Sequence, residues 1–377
     1  MIAFGAIKHD DCTRGGMIVI PNGLNDITTR WLTDVLRDAH AICAATVVVA
    51  SYEPVGVGVG IMGELTRATL TYDRIEAGAP RSVIVKVTSP YEANRAQGMA
   101  LGMYEAEVRF YNELAQCSSL RVPRCYLAEI DSVSSDFVIV MEDLDEFDAA
   151  DQVTGMSVAQ AEAAADALAD LHGGHWQRVG DLGWVASVVH ERVKAFSGAW
   201  PDLWASFSTR FADWLPEGAI TAGEHIRDNY WTLMCTLGDR PWTLLHQDFR
   251  CDNLFFGREP DSPAVVVIDW QSIGRGPGAY DLAYLLGGSL PIGDRREHEE
   301  RIVRRYHDRI VSHGVRDYSY DDLWNDYRLS HLVNTAVPVI TGGTMDLANE
   351  RGRTLVGTLG QRHFTAVIDL RSVELIG

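Results

Sequence analysis

Apolar and polar residues alternate along much of the first 140 or so residues, as they do in short β-strands. Two other segments, 25–40 and 102–114, carry apolar residues at helical spacing, and Asn25 or Asp26 is predicted to cap the first helix. Runs rich in β-branched residues predict the strands 45–55, 64–73, 81–89 and 136–144. The pattern predicts several strands accompanied by helices.

Beyond this region the chain changes to predominantly helical spacing. Ser157 and Gln160 have the spacing of a capping box at the start of a helix over 157–176, and the glycine pair at 173–174 is predicted to end that helix. More helices are predicted within 190–235, 295–335 and 346–372, with short strands around 244–270. An α+β chain of two parts follows, with the sheet in the first part.

A dense polar stretch, "HQDFRCDN" at 246–253, lies between the apolar runs "WTLL" and "LFF". Asp248 can accept a hydrogen bond from a hydroxyl group and later take its proton. Asn253, five residues on, can offer its amide oxygen to Mg²⁺, and Asp269 ends the buried run "AVVVID" with a carboxylate for the same metal. His246 is expected to brace this loop, and Asp281 to hydrogen-bond its backbone.

The first part of the chain contains candidates for holding phosphate groups. Gly58, Gly60 and Gly63 satisfy G-x-G-x-x-G, but a strand pattern follows them instead of a helix, which favours a flap between two strands over a dinucleotide site. Lys86 lies centrally in an apolar strand, although the chain otherwise uses arginine for nearly all its positive charge. A buried lysine needs an anionic partner, and Glu107 is the first candidate, with Glu105 a weaker one.

Composition narrows the range of functions. The 377 residues carry a formal net charge of −19, which disfavours nucleic-acid binding because that needs a basic surface. The six cysteines form no C-x-x-C pair, and scattered thiols are typical of a reducing compartment. The longest apolar run, 41–50, is too short to span a bilayer. A cytoplasmic protein that binds neither nucleic acid nor membrane is expected.

The ordered set of glycine flap, strand lysine, helix glutamate, H-x-D-x-x-x-x-N and strand-end aspartate is the phosphoryl-transfer arrangement of kinase-like enzymes. The segments "LLHQDFRCDNLFF", "VVVIDWQ" and "GPGAYDLAYLL" resemble those of the aminoglycoside phosphotransferase and choline kinase superfamily, and "LADLHGGHW" and "VMEDL" resemble its second-lobe helix and hinge. Gln271 and "MYEAEVRFYNEL" resemble the ecdysteroid-kinase-like branch. Gln247 departs from the pattern, since the family usually has glycine there.

The resemblance implies a two-lobed protein-kinase-like fold of the α+β class. Its first lobe, at 1–140, would carry an antiparallel sheet and a helix, and a hinge at 141–144 would lead to a mainly helical second lobe at 145–377. It implies transfer of the γ-phosphoryl group of ATP to a hydroxyl group of a small molecule. Asp248 would be the base, Asn253 and Asp269 would hold Mg²⁺, and Lys86 with Glu107 would hold the α- and β-phosphates. The residues expected to surround the rest of the nucleotide are Gly58, Gly60, Gly63, Met141, Glu142 and Leu144. The acceptor and the oligomeric state stay open.

Two alternatives remain at this point. The first is a kinase-like protein that binds nucleotide without catalysis, although every catalytic residue type is present. The second is a metal-dependent hydrolase that uses His246, Asp248 and Asp269, although it lacks the second histidine cluster common in such sites.

Overall fold

A computed structural model describes residues 18–56, 63–259, 264–344 and 350–376. The chain divides into two compact units. The first comprises the described residues up to Ala100 together with Arg124–Asp143, and the second comprises Leu101–Pro123 and the described residues from Leu144 onwards. The candidate catalytic loop, the strand that leads to Asp269 and the helix that carries Glu107 all belong to the second unit.

The first unit is built on an antiparallel sheet of five strands in the order β1-β2-β3-β5-β4. Its strands are β1 (Val47–Pro54), β2 (Gly63–Tyr72), β3 (Ser82–Thr88), β4 (Cys125–Ile130) and β5 (Phe137–Glu142). Four of them confirm the predicted strands. Strand β4 was not predicted, and in the part of the chain that the structure describes it lies at the edge of the sheet, paired with β5.

Helix α1 (Thr29–Asp38) packs its apolar face on this sheet, and a second helix, α2 (Glu92–Ala100), follows β3. Leu32, Val35 and Leu36 of α1 are fully buried in a cluster with the valines of β3. The predicted cap of α1 was wrong, because the Thr28 side chain accepts the hydrogen bond from the backbone N–H of Trp31. Threonine can cap a helix as aspartate and asparagine do.

The second unit is mainly helical. Helix α3 (Met103–Arg109) continues into a π-helical turn at Phe110–Leu114. The capping box of Ser157 and Gln160 is confirmed at the start of α4, which however runs on through the glycine pair to His175. Its helices after α3 are α4 (Val158–His175), α5 (Glu191–Ser197), α6 (Trp200–Arg210), α7 (Ala219–Gly238), α8 (Ala279–Ser289), α9 (Ile292–Ser312), α10 (Tyr320–Asn334), α11 (Ala336–Thr344) and α12 (Glu350–Asp369).

Two three-stranded sheets frame the candidate loop. They have the orders β10-β9-β6 and β7-β11-β8, and 246–253 connects β8 to β9. The strands are β6 (Asp148–Ala149), β7 (Ala186–Ser187), β8 (Thr243–Leu245), β9 (Leu254–Phe256), β10 (Val265–Val267) and β11 (Gly274–Gly276). Because both ends of the loop continue into paired strands, its position is fixed on two sides.

The core of the second unit is rich in aromatic side chains. Trp200 and Phe207 of α6 are fully buried against α7 and α12, and the Trp200 ring stacks on Tyr230 with 4.5 Å between ring centroids. None of the described helices is both long and apolar enough to cross a membrane.

Candidate active site

The backbone of the candidate catalytic loop is held by a buried carboxylate. Asp281 of α8 accepts hydrogen bonds from the backbone N–H of His246 at 2.7 Å and of Gln247 at 2.9 Å. Behind it, His172 Nε2 lies 3.4 Å from Asp281 Oδ2, and His172 Nδ1 lies 2.8 Å from the Tyr306 hydroxyl oxygen. The expected role of Asp281 in holding the loop backbone is confirmed.

His246 braces the loop from inside. Its Nε2 lies 2.9 Å from the carbonyl oxygen of Ile268, and its Nδ1 lies 3.3 Å from the backbone nitrogen of Asp248. Since a carbonyl oxygen can only accept and a backbone N–H can only donate, Nε2 carries the proton and Nδ1 is the acceptor. The ring nitrogens are therefore both engaged in holding the loop, as the sequence indicated.

Three side chains donate hydrogen bonds to the Asp248 carboxylate. Arg250 Nε and the Tyr284 hydroxyl both donate to Oδ1 at 3.0 Å, and Asn253 Nδ2 donates to Oδ2 at 2.9 Å. Each carboxylate oxygen has about two acceptor positions, so Oδ1 is fully used and Oδ2 keeps one. The Asp248 side chain is 24% exposed, so a ligand can approach it. Oδ2 is the oxygen left to accept a hydroxyl proton.

The two donors on Oδ1 keep their protons. Burial is the largest cause that raises the pKa of Tyr284 well above its usual value, and the neighbouring Asp248 carboxylate adds to it. Burial opposes the charge of Arg250, but Asp248, Tyr284 and Asp252 outweigh it, and the pKa of Arg250 is raised. At neutral pH both side chains therefore keep the protons that they donate to Asp248.

Asn253 and Asp269 are brought together by the β9–β10 ladder. Leu254 pairs with Val267, and the backbone N–H of Ile268 donates to the carbonyl oxygen of Asn253 at 3.1 Å. The Asn253 amide nitrogen also donates to the Asp248 carbonyl oxygen at 2.8 Å, so its Oδ1 is the atom left for another ligand. Asp269 has a left-handed backbone, with φ 64° and ψ 65°.

The donor set at this end of the ladder suits a small hard cation. An amide oxygen and a carboxylate are typical Mg²⁺ ligands when substrate phosphates and water complete the coordination. Within the described ranges there is no group of three or more His, Cys, Asp or Glu side chains that could hold a metal ion. One amide oxygen and one carboxylate leave the other coordination positions of such a cation to phosphates and water.

In the first unit, Lys86 and Gly63 lie against each other. Lys86 is 6% exposed in the middle of β3, where its residue pairs with Leu65 of β2 and Ile139 of β5. A Cβ atom at position 63 would lie 3.3 Å from Lys86 Cε. The lack of a side chain at Gly63 therefore leaves room for the lysine side chain. Gly58 and Gly60 lie outside the described residues.

The two candidate glutamates of α3 differ in exposure. Glu107 is 1% exposed, whereas the Glu105 side chain is 63% exposed and lies 3.6 Å from Arg109. Burial thus favours Glu107 as the functional carboxylate of this helix. Lys86 belongs to the first unit and Glu107 to the second.

The predicted hinge residues lie where the first unit ends. Met141 and Glu142 close strand β5, and the division between the units follows Asp143. Glu142 is fixed by Arg124, whose backbone N–H donates to Oε2 at 2.9 Å and whose carbonyl oxygen accepts from the Glu142 N–H. Leu144, 7% exposed, begins the longer segment of the second unit.

Arg250 and Tyr284 were missed as site residues in the sequence. Arg250 lies inside the polar stretch 246–253, and its charge two residues from Asp248 is a signal that the sequence offers. Tyr284 is 36 positions from Asp248 and offers no local signal. It lies one helical turn beyond Asp281, so both face the loop from α8.

A model of the phosphotransferase enzyme family, APH, matches residues 69–319, which include Lys86, the loop at 246–253, Asp269 and Asp281. The chain belongs to this family. The predicted superfamily is thereby confirmed, and the predicted branch within it stays a prediction. No curated protein sequence matches this phosphotransferase-family chain.

Two solved structures resemble this family member over most of their length. A choline kinase from Cryptosporidium parvum Iowa II is 8% identical with a TM-score of 0.55, and covers 86% of this chain and 92% of its own. A protein of Ralstonia eutropha JMP134, provisionally named an aminoglycoside phosphotransferase, is 14% identical with a TM-score of 0.51. The match covers 91% of this chain and 97% of that protein. At these identities the likeness shows the fold. The predicted α+β, two-lobed, kinase-like fold is confirmed.

Proposed function

We propose that this phosphotransferase-family protein moves the γ-phosphoryl group of ATP to a hydroxyl group of a small molecule in the cytoplasm. The observation that carries the proposal is the Asp248 carboxylate, which is held by Asn253, Tyr284 and Arg250 and keeps one acceptor position on Oδ2. A carboxylate so restrained can orient a hydroxyl group and accept its proton as the phosphoryl group leaves ATP.

Other residues of the chain would bind the metal ion and the nucleotide. Asn253, through Oδ1, and Asp269 would hold Mg²⁺, which when bound neutralises charge on the transferring phosphates. Lys86, together with Glu107, would hold the α- and β-phosphates, and the glycine segment of Gly58, Gly60 and Gly63 would cover them. Backbone groups at Met141, Glu142 and Leu144 would meet the adenine. The lobes would be 1–140 and 145–377, with 141–144 between them.

The proposed phosphoryl transfer relies on positioning and electrostatics and needs no covalent intermediate with the protein. The loop needs no rearrangement to present Oδ2, because Asp281 and His246 already fix its backbone. A preorganised carboxylate of this kind contributes roughly 10²–10⁴ in rate as a general base.

The test is a screen of MgATP consumption over a library of hydroxyl compounds, with the phosphorylated product identified by phosphorus NMR. The proposal expects an acceptor-dependent phosphate monoester and stoichiometric ADP. Nucleotide binding without transfer to any member would favour the catalytically silent alternative. Release of inorganic phosphate alone, independent of any acceptor, would contradict transfer to an alcohol.

A further inference from the structure

The arginine beside the proposed base is itself held by a second carboxylate. Arg250 donates through Nε to Asp248 Oδ1 at 3.0 Å and through Nη1 to Asp252 Oδ2 at 2.6 Å. The Arg250 side chain is 17% exposed and that of Asp252 is 11% exposed, so the contact between them is largely shielded from water. Two charge-assisted hydrogen bonds from two nitrogens of one planar group restrict its position more than a single bond would.

Asp252 has a second partner outside the catalytic loop. Its Oδ1 accepts a hydrogen bond from the backbone N–H of Gln152 at 2.9 Å. Gln152 is fully buried, and its side-chain amide donates to the carbonyl oxygen of Gly288 at 2.8 Å and to the hydroxyl oxygen of Ser289 at 3.2 Å. Each carboxylate oxygen of Asp252 therefore has a donor of its own, one on the catalytic loop and one on a buried residue of another segment.

A buried arginine holds the backbone that supports Asp252. Arg362 of α12 is 6% exposed, and its guanidinium group donates to the carbonyl oxygens of Gln152 at 2.7 Å and Val153 at 3.0 Å. It also donates to the carbonyl oxygens of Gly288, near the end of α8, at 3.1 Å and of Thr154 at 3.2 Å. The segment that fixes Asp252 is therefore tied to two helices, α8 and α12.

The two donors on Asp248 Oδ1 differ in how firmly their own side chains are held. The Tyr284 hydroxyl is carried by a rigid ring on α8, and that ring is fully buried. The Arg250 guanidinium group is carried by a long side chain whose ordering costs conformational entropy. Arg250 can therefore stay on Oδ1 only if a further contact offsets that cost, and the hydrogen bond to Asp252 is such a contact.

We propose that Asp252 is a positioning residue of the phosphoryl-transfer site, which holds the Arg250 guanidinium group on Asp248 Oδ1 and so keeps Oδ2 as the oxygen that receives the acceptor proton. The inference rests on the proposed function. Without Asp252, Arg250 loses one of its two carboxylate partners and can leave Oδ1. Oδ1 then becomes a second acceptor for the substrate hydroxyl group, which can bind in an orientation that does not lead to transfer.

Asp252→Asn separates the two contacts of this residue. Asparagine has one acceptor oxygen, and the buried N–H of Gln152 is costlier to leave unpaired than a partly exposed guanidinium group, so the variant should keep Gln152 and release Arg250. With the acceptor found by screening, kcat should fall at least about tenfold while the KM for MgATP stays within about twofold. Asp148→Asn is the matched control, because Asp148 is 66% exposed and lies 3.3 Å from the exposed Arg258, and it should behave as wild type.

A double-mutant cycle shows whether Asp252 acts through Arg250. Arg250→Met removes both carboxylate contacts and keeps an apolar stem, so adding Asp252→Asn to it should change kcat by less than about twofold. The same tenfold loss in both backgrounds, or near-normal kcat in Asp252→Asn alone, would overturn the inference. Should Asp252→Asn fail to fold, Arg250→Lys decides, because it keeps the charge but lacks Nε and cannot bridge the two carboxylates. Its kcat should fall at least about tenfold, and wild-type kcat would overturn the inference.

Crystal structures of wild type and Asp252→Asn give an answer that needs no acceptor. We expect Arg250 Nε to lie within hydrogen-bond distance of Asp248 Oδ1 in wild type and to have moved away in the variant. An arginine in the same place in both structures contradicts the positioning role. A displaced arginine, in a protein that transfers phosphate to no alcohol, would support the positioning of Arg250 and count against the proposed function, so the two failures are distinguishable.

Discussion

Asn253 holds Asp248 at two points, because its Nδ2 donates both to the backbone carbonyl oxygen at 2.8 Å and to the side-chain Oδ2 at 2.9 Å. Since the amide nitrogen serves Asp248, the amide oxygen is directed elsewhere and remains for a cation. One asparagine therefore fixes the proposed base and supplies a proposed metal ligand. An amide suits position 253 because it has both a donor, for Asp248, and an acceptor, for the proposed cation.

Asn253→Asp should abolish turnover, with a loss of at least about 100-fold. The new carboxylate would replace a donor with an acceptor and would place like charges within hydrogen-bond distance. Steady-state kinetics with the acceptor found by screening checks this. Asn229→Asp, on α7, is the control and should behave as wild type, since the Asn229 side-chain amide donates to the carbonyl oxygen of His225 in its own helix. Near-normal turnover of Asn253→Asp would remove Asn253 from the site.

Tyr284→Phe should lower kcat about tenfold and leave the nucleotide KM nearly unchanged. The variant removes the hydroxyl that donates to Asp248 Oδ1 and keeps the ring, which stacks on His363 with 5.6 Å between centroids. Tyr318→Phe is the matched control, because its hydroxyl donates to the buried Asp326 at 2.8 Å. If both variants lose activity in proportion to their loss of stability, Tyr284 is structural only.

The buried His363 should make the protein lose stability in acid. Burial, followed by Arg362 and Arg295, lowers the pKa of His363 to about 3, whereas the unfolded value is about 6.5. Between those values the unfolded chain binds a proton that the folded chain does not, so the free energy of unfolding falls as the pH falls. The limiting slope is about 1.4 kcal/mol per pH unit for each such histidine.

Urea denaturation of wild type and His363→Phe from pH 7.5 to 4.5 measures this effect. In the variant, the free energy of unfolding should depend less steeply on pH, by an amount that corresponds to up to one bound proton. Phenylalanine has no titratable group, and it preserves a ring against Tyr284. His225→Gln, at an exposed position of α7, should leave the slope unchanged. Equal slopes in wild type and His363→Phe would show that His363 is protonated in the folded state.

Lys86→Arg should fail to support turnover, with a loss of at least about 100-fold. The lysine lies along β3 with Gly63 closely over its Cε, so the wider guanidinium has no room in the same path. Lys194→Arg, on α5, provides the matched control. Circular dichroism should show that both variants fold. Full activity of Lys86→Arg would mean that a compact ammonium group is not required there.

Local sequence signals predicted the elements well where the deciding contacts were short in range. The capping box of Ser157 and Gln160 spans three residues, and the strand that contains Lys86 shows its own apolar run. The prediction from the glycine pair at 173–174 was wrong, because the pair lies inside α4, where a Cβ atom at position 173 would lie 2.6–2.9 Å from the His313 side chain. Close packing against His313, the residue after α9, accounts for Gly173.

The parts of the site that escaped prediction depend on contacts between distant positions. Tyr284 contacts the Asp248 side chain, and Asp281 on the same helix holds the loop backbone. Gln247 stands where the family usually has glycine, and its backbone is left-handed with φ 63°. That conformation favours glycine, so glutamine carries a conformational cost of about 1 kcal/mol at this position. The sequence showed the departure, but only the fold shows its physical meaning.

The central claim is that Asp248 acts on the acceptor hydroxyl and not on the nucleotide. It is tested by comparing MgATP binding and acceptor-dependent turnover in wild type, Asp248→Asn and the exposed control Asp148→Asn. Asp248→Asn is expected to bind MgATP within about threefold of wild type while its turnover falls roughly 10²–10⁴-fold, and the control is expected to keep both. Turnover near the wild-type rate in Asp248→Asn, measured on the phosphorylated product itself, would contradict it.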